Sequence, residues 1–222
     1  MSRSTQSSGK KTSPIKKYLT FKGGTGKISY WDGEKNVEMD SVNFVLLDIR
    51  SSVTGWSDAK NTSIYSNVVK STKYEEIVVK CGKEEIARGI YSEIKGDIVA
   101  AGGKFQLLLY TLAEIDGSYV PACLKFSGSA LAGWSHFMED KKLGDVYNSV
   151  VSLTRSDKQL KKGSVKYYAP EFSMSTLPAE LDDKAGEFDK NHLQPYLNGE
   201  PEKILDETLV PEDEESDVSV PF

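Results

Sequence analysis

Aromatic and cationic side chains are interleaved along the chain in a pattern that suits contact with bases and phosphates. An aromatic ring stacks on any unpaired base with about 1–3 kcal/mol, while lysine and arginine displace the counterions of the phosphate backbone. Trp56 is the strongest candidate, because its neighbours are small or polar and offer it no local core. The other predicted contacts lie at strand ends, in turns and on polar strand faces: Lys22, Lys27, Tyr30, Trp31, Arg50, Lys60, Tyr65, Tyr119, Lys125, Lys166 and Tyr168.

Two simpler alternatives stay open for these residues. A loop tryptophan such as Trp56 can fold back over the end of the body instead of contacting a ligand. Scattered lysines cover the surface of most soluble proteins, so ordinary solvent exposure is the competing interpretation for each lysine taken singly.

The sequence contains no recognisable catalytic or metal-binding pattern. The segment Gly23-Gly24-Thr25-Gly26-Lys27 differs from a phosphate-binding P-loop, which needs glycine where Phe21 stands and a hydroxyl residue where Ile28 stands. The chain has only two histidines, and no histidine or cysteine pair has the close spacing of a zinc site. We therefore predict no enzymatic activity, no cofactor and no metal, and interpret Cys81 and Cys123 as buried free thiols.

Charge is divided unevenly along the chain. From Glu180 onward there are 14 Asp or Glu residues against three Lys, whereas residues 1–179 carry a net charge of +6. A basic body is typical of nucleic-acid binding, and an acidic tail on the same chain can compete for that surface. We predict a flexible basic N-terminal arm (1–14), one binding domain (15–178) and an acidic disordered tail (179–222).

Location and assembly leave weaker marks in the sequence. No run of eighteen apolar residues could span a membrane, and the N-terminus lacks the hydrophobic block of a secretory signal. We therefore expect a cytoplasmic protein, in the host cell if it is viral, with no membrane partner. A homo-oligomer is compatible with the sequence, but monomers, dimers and tetramers are not distinguished by it.

Hydrophobic periodicity predicts a mainly β body with glycine-rich turns. Ile86, Ile90 and Ile94 lie four residues apart and predict an amphipathic helix over 83–95, ended by Gly96. From residue 42, three strands, this helix and two strands follow one another, which is the element order of an OB-fold, a Greek-key barrel that binds oligonucleotides. The predicted strands cover residues 18–22, 27–31, 42–50 (alternating and half exposed), 62–69, 77–80, 105–112 and 119–126.

Two more elements extend this predicted barrel. Residues 129–138 have apolar side chains at helical spacing, and residues 150–155 with 165–172 predict a closing hairpin around Lys161-Lys162-Gly163. The body is expected to end near Pro178. The predicted fold class is therefore mainly β with minor α, an OB-fold-like Greek-key barrel with one or two helices and an added hairpin.

Residues 211–222 form a run of carboxylates closed by an apolar tip. Such a run cannot bury itself, because like charges repel and few apolar groups accompany them, so it is typical of a docking peptide. It resembles the tail tip of bacterial single-stranded DNA-binding proteins, which ends in aspartates, a β-branched residue, proline and phenylalanine. The matching residues are Asp217, Val220, Pro221 and Phe222, whereas Ser216 and Ser219 depart from the pattern.

A second resemblance lies in the body. Residues 166–172 are similar to a late strand in single-stranded DNA-binding proteins of tailed bacteriophages. Together the two resemblances imply a sequence-independent single-stranded DNA-binding protein that acts in phage DNA replication, recombination or repair. They also imply that the acidic tail recruits a polymerase, helicase or nuclease.

The main alternative is an interaction or inhibitory protein whose acidic tail mimics DNA in a basic groove of a host enzyme. It explains the tail equally well but leaves the basic arm and the interleaved aromatic residues without a role. An enzyme acting on nucleic acid ranks last, because it needs a metal-binding carboxylate cluster that the sequence does not show.

Overall fold

The structure is a computed structural model that describes residues 12–199. Most of the predicted basic arm, up to residue 11, lies outside these residues. The same holds for the acidic sequence from residue 200 onward, and so for the predicted docking residues Asp217, Val220, Pro221 and Phe222.

Residues 12–199 form a mainly β structure with helices at its edges. The strands are β1 (Lys17–Lys22), β2 (Lys27–Trp31), β3 (Asn36–Met39), β4 (Ser41–Ser57), β5 (Thr62–Ser66), β6 (Ile77–Cys81), β7 (Glu84–Gly89), β8 (Gly103–Ile115), β9 (Ser118–Phe126), β10 (Ser149–Lys162) and β11 (Val165–Thr176). The helices are α1 (Tyr91–Ala100), α2 (Gly128–Met138), α3 (Leu143–Tyr147), α4 (Ala179–Phe188) and α5 (Gln194–Leu197), with a π-helical turn (Asp189–Leu193) between the last two. Each helix in this part of the chain is too short or too polar to span a bilayer.

All eleven strands of residues 12–199 belong to one open mixed sheet. Nine lie in the order β3-β2-β1-β9-β8-β4-β5-β6-β7, and β10 and β11 branch from β4. The pairs are antiparallel except β1 with β9, which run parallel. The 17-residue strand β4 is the branch point of the sheet. Along one edge it pairs with β8, and along the other it pairs first with β10 and then with β5. The sheet therefore forks at β4.

Local turn chemistry forms two hairpins of the sheet. Gly23-Gly24-Thr25-Gly26 joins β1 to β2, and Gly26 takes a φ of +71°. Asp116 and Gly117 join β8 to β9 with φ angles of +52° and +74°, the positive values of a tight type I′ turn. The strands on either side pair in the register that these turns impose.

One face of the sheet carries the main apolar core. Inward side chains of β1, β2, β4, β8 and β9 pack there under α2, whose Trp134 lies against Phe126 and Phe172 with ring centroids 6.0 and 5.3 Å apart. A second cluster lies under α1, where Ile94 and Ile98 contact β4, β5 and β6. The opposite face of the sheet is left for the C-terminal helices and for the candidate site.

The predicted helix over 83–95 is wrong in its position. Residues Glu84–Gly89 form β7 and pair with β6, and the helix begins at Tyr91. Gly89 separates the two elements with a φ of +149°, which few side chains can adopt. The helix buries Ile94 and Ile98 and continues through Gly96 instead of ending there.

The alternation predicted over residues 42–50 is interrupted by a β-bulge. The register with β8 shifts between Leu46 and Asp48, so the extra residue Leu47 reverses the faces that follow it. Asp48 and Arg50 then share the face of Val45, while Ile49 joins the main core. Residues 42–50 are also not half exposed, because both faces of the strand are covered.

The sequence predicted that the body ends near Pro178, and this prediction is wrong. Helix α4 and the π-helical turn after it pack on the sheet, with Ala185 4% and Leu193 0% exposed. Leu181, Ala185 and Phe188 form an apolar stripe at helical spacing that covers Val45, Leu112 and Val150. The folded body therefore reaches at least to residue 197, and the predicted tail boundary moves accordingly.

Candidate nucleic-acid interface

Tyr30 is not a surface ring, as the sequence predicted, but a core residue. It is 5% exposed and belongs to the main apolar cluster, because β2 pairs on both sides and turns Ile28 and Tyr30 inward. Its phenol pKa is raised, chiefly by burial and further by Asp116 and Asp32. The ring meets Lys17 Nζ 5.0 Å from its centroid and is not available to a base.

Arg50 is also removed from the predicted contacts. It is 8% exposed, and its Nη2 donates to Asp48 Oδ2 at 2.9 Å. Asp48 accepts further hydrogen bonds from Gln194 Nε2 at 3.1 Å and from the Ile49 amide at 2.7 Å. Arg50 Nε has no hydrogen-bond partner among residues 12–199. The charge of this arginine is therefore neutralised inside the protein, beneath the C-terminal helices.

Two other predicted contacts lie apart from the rest. Trp31 is 53% exposed at the end of β2, where it pairs with Asn36 of β3. Tyr119 is half-buried near the start of β9 and lines a cavity of about 520 Å³ beside α4. Lys184 of α4 donates to the Tyr119 carbonyl at 3.1 Å. Neither residue joins a larger group of predicted contacts.

Tyr65 and Lys125 come together in a narrow cleft on the open part of the sheet. The cleft has a volume of about 90 Å³ and lies across β1, β9, β8, β4 and β5. The Tyr18 ring also lines the cleft, and Lys125 Nζ lies 4.7 Å from the centroid of this ring. The other lining residues are mostly small or polar: Ser52, Val53, Thr54, Ser63, Ile64, Ser66, Val68, Gln106, Leu108 and Cys123.

The cleft is held in place by hydrogen bonds from its own walls. Tyr65 Oη donates to the Gly82 carbonyl at 2.8 Å, which fixes the ring against the turn between β6 and β7. Ser66 Oγ accepts from the Val53 amide at 2.8 Å and donates to the Asn67 carbonyl at 2.7 Å. A fixed ring loses little conformational entropy when a ligand stacks on it.

Cys123 lines the cleft but is poorly suited to nucleophilic chemistry. Burial raises the pKa of its thiol to about 12, although nearby Lys125 acts in the opposite direction. Since the thiolate is the reactive form, the thiol stays protonated and inert at neutral pH. Among residues 12–199, no three His, Cys, Asp or Glu side chains lie close enough to hold a metal ion.

Trp56 and Lys60 continue the cleft toward the turn between β4 and β5. Trp56 pairs with Ser63 on the same face as Thr54 and is 37% exposed, so it is neither folded away nor fully free. Lys60 forms an ion pair with Glu84 at 2.6 Å, and this hydrogen bond raises the pKa of its ammonium group. Trp56 therefore borders the cleft as an accessible ring.

A second group of predicted contacts lies at the tip of the β1–β2 hairpin. Lys22 and Lys27 are cross-strand partners, and Lys27 pairs with Asp40 and lowers the pKa of that carboxyl group. The Tyr168 amide donates to the Gly23 carbonyl at 2.8 Å, which joins this tip to β11. Lys166 lies two residues before Tyr168 on the same strand and is exposed.

Two residues near these groups were missed from the sequence. Tyr18 alternates with buried Leu19, a signal that should have placed its ring on the polar face of β1. The Arg155 guanidinium lies 4.9 Å from the centroid of the Tyr168 ring and also packs beside Gly26. Its contact depends on the pairing of β10 with β11, which the local sequence does not reveal.

Comparison of the chain with protein-family models, with curated proteins and with solved structures gives no match. The functional interpretation therefore rests on the geometry of the cleft, the hairpin tip and their charges.

Proposed function

We propose that this protein binds single-stranded DNA without sequence preference, and that the cleft holds the strand. The observation that carries the proposal is the cleft itself, where Tyr18, Tyr65 and Lys125 meet among hydroxyl and aliphatic side chains. Trp56 borders the cleft with an accessible ring. Rings and cations at this spacing are the two parts that a single-strand binder combines.

The chemistry of the cleft favours unpaired bases. In a duplex the flat faces of the bases are covered by their neighbours, whereas an unpaired base can present a face to Tyr65 or Trp56. Stacking uses the π-face that every base has, so it gives affinity without sequence readout. Lys125 supplies the charge for a phosphate, and the hydroxyl groups of Ser52 and Ser63 supply uncharged hydrogen bonds.

The strand order supports an OB-like barrel as the finer description of the fold. Five strands lie side by side in the order β6, β5, β4, β8 and β9. Along the sequence these strands run β4, β5, β6, β8 and β9, and α1 lies between β6 and β8. In an OB-fold, the second and third strands and the loop after the first strand bind oligonucleotides. If β4 is the first strand, these parts are β5, β6 and residues 58–61, which surround Tyr65, Trp56 and Lys60.

We further propose that the acidic sequence after residue 199 recruits replication or recombination proteins through Asp217, Val220, Pro221 and Phe222. The position of the last described residues supports a link to DNA binding. Leu197 belongs to the apolar cluster that includes Tyr18 and Val68, both of which line the cleft. The chain therefore leaves the described structure beside the proposed DNA site, where a negative charge can compete with phosphate.

A titration of the full chain with oligo-dT, followed by tryptophan fluorescence, tests the proposal. We expect quenching, affinity that falls steeply as salt is raised, and much weaker binding of a duplex of equal length. Equal affinity for duplex and single strand would contradict the proposed role of the cleft. No binding even at low salt, together with capture of a basic host enzyme, would favour the DNA-mimic alternative.

A further inference from the structure

Strands β10 and β11 continue beyond the sheet as a two-stranded ribbon. Within the described chain, β10 pairs with β4 only from Val150 to Thr154, and farther along its partner is β11 alone. Residues 155–168, which we call the ribbon, reverse direction at Gly163 with a φ of +59°. At about 3.3 Å per residue, the start of β11 lies roughly 17 Å beyond Pro170. The ribbon therefore projects from the body.

The ribbon is strongly basic, and repulsion between its lysines lowers its stability. Lys161 and Lys166 are direct cross-strand partners, a position in which like charges destabilise a hairpin. A two-stranded hairpin is already marginal in water, so the fold alone gives no reason for this pair. The only carboxylate in the ribbon is Asp157, against five cations: Arg155, Lys158, Lys161, Lys162 and Lys166.

A few cations elsewhere on the body pair with carboxylates. Lys60 pairs with Glu84, and Arg88 pairs with Glu76 and Glu85, each within 2.8 Å. By contrast, Lys158, Lys161 and Lys166 form no ion pair with any other residue in the range 12–199. These three charges are available to an anionic ligand.

A continuous row of cations connects the ribbon to the cleft. Lys125 in the cleft is the register partner of Thr20 on β1, and Lys22 follows two residues later on the same face. Lys22 is opposite Lys27, and the turn between them accepts the Tyr168 amide at the base of the ribbon. A strand leaving the cleft along β1 would therefore reach the ribbon without crossing an acidic surface of the hairpin other than Asp40.

We propose that the ribbon is a second phosphate-binding site for the DNA strand held in the cleft, an inference that rests on the proposed function. Lysines that contact phosphates position a strand without reading its sequence, which suits binding without sequence preference. The acidic sequence from residue 200 is the competing ligand by charge. The described chain ends at Gly199, two residues after Leu197, which packs in the same cluster as the cleft residues Tyr18 and Val68.

The test compares long and short oligonucleotides on a ribbon variant of the full chain, Lys158→Gln with Lys161→Gln and Lys166→Gln. Each lost phosphate contact lowers the salt slope by about 0.7, so the slope for a dT of about twenty nucleotides should fall by about 2. The same relation predicts a loss of about 100-fold in affinity at 0.1 M salt. A dT of about six nucleotides, long enough to cross the cleft but not to reach the ribbon as well, should bind as before.

A matched control removes the same charge elsewhere, by Lys35→Gln with Lys95→Gln and Lys142→Gln, all exposed positions outside the cleft lining and the ribbon. The control should keep the salt slope for the long oligonucleotide. The midpoint temperature of thermal unfolding should be unchanged or slightly higher in the ribbon variant, because the repulsion between Lys161 and Lys166 is relieved.

Equal effects of the ribbon and control variants, or equal loss for the long and short oligonucleotides, would overturn the second site. Tighter DNA binding by the ribbon variant would also overturn it. If the unmodified protein binds neither oligonucleotide, it is the proposed function that fails, and the ribbon proposal falls with it. Binding of the short oligonucleotide with unchanged slopes in the ribbon variant refutes the ribbon alone.

Discussion

Tyr65 allows the proposed DNA contact to be separated from fold stability within one side chain. Its ring lines the cleft, while its hydroxyl group donates to the Gly82 carbonyl at 2.8 Å. Tyr65→Phe keeps the ring and removes the hydrogen bond. Tyr65→Ala removes both.

The two variants should therefore differ in kind. A neutral hydrogen bond contributes about 0.5–1.5 kcal/mol, so Tyr65→Phe should lower the free energy of unfolding by about 1 kcal/mol. It should leave the affinity for oligo-dT within about twofold, because the ring still stacks. Loss of one stacked base costs about 1–3 kcal/mol, so Tyr65→Ala should weaken binding by roughly 5- to 150-fold.

Fluorescence titration with oligo-dT measures the affinity, and urea denaturation measures the stability. Tyr74→Ala is the matched control, because Tyr74 is 76% exposed and lies outside the cleft. The reasoning is refuted if Tyr65→Phe loses as much affinity as Tyr65→Ala. It is refuted equally if Tyr65→Ala binds DNA as well as the control does.

Three further predictions concern the buried ion pair, a buried thiol and the acidic sequence. Asp48→Ala should lower the free energy of unfolding, measured in urea, by about 3–5 kcal/mol, because it leaves Arg50 charged and unpaired. Adding Arg50→Met should recover much of this loss, and losses that simply add up would contradict this explanation. Cys123, with a pKa of about 12 in the folded state, keeps its proton where the unfolded thiol has lost it, so stability should fall as pH rises from about 8.5 to 10. The fall should be shallower in Cys123→Ala by up to about 1.4 kcal/mol per pH unit, and identical slopes would exclude this cause. Removal of residues 211–222 should preserve or strengthen binding to oligo-dT while abolishing capture of a partner polymerase, helicase or nuclease, and the opposite pattern in pull-down and titration would reverse the two roles.

Much of the strand layout could be predicted because it is encoded locally. Asp116 and Gly117 indicate a tight turn by their residue types, and the structure has that turn. The β1–β2 hairpin follows in the same way from its glycines. The helix predicted over 83–95 failed because an apolar residue every fourth position also fits alternation in a strand, and Gly89 was not taken as a boundary.

The predicted site was less accurate because burial depends on distant partners. The pattern around Tyr30 has an aromatic residue on both faces of β2, and only pairing with β1 and β3 decides which one is buried. Arg50 was predicted on an accessible face, but a bulge at Leu47 and Gln194, far along the chain, enclose it. Tyr65 and Lys125 were predicted separately, and only the β4–β8–β9 register brings them to one cleft.

The branching of β4 has a consequence for the birth of the protein on the ribosome. Residues 41–45 pair on one edge with residues 150–154, so the partner of Val45 is synthesised about 105 residues later. At about 5–20 residues per second, that edge stays uncovered for roughly 5–20 seconds. Its sequence, Ser41-Val42-Asn43-Phe44-Val45, is an apolar template for unwanted strand addition during this interval. The yield of soluble protein should therefore depend on a low growth temperature or on holdase chaperones more than on the stability of the folded protein.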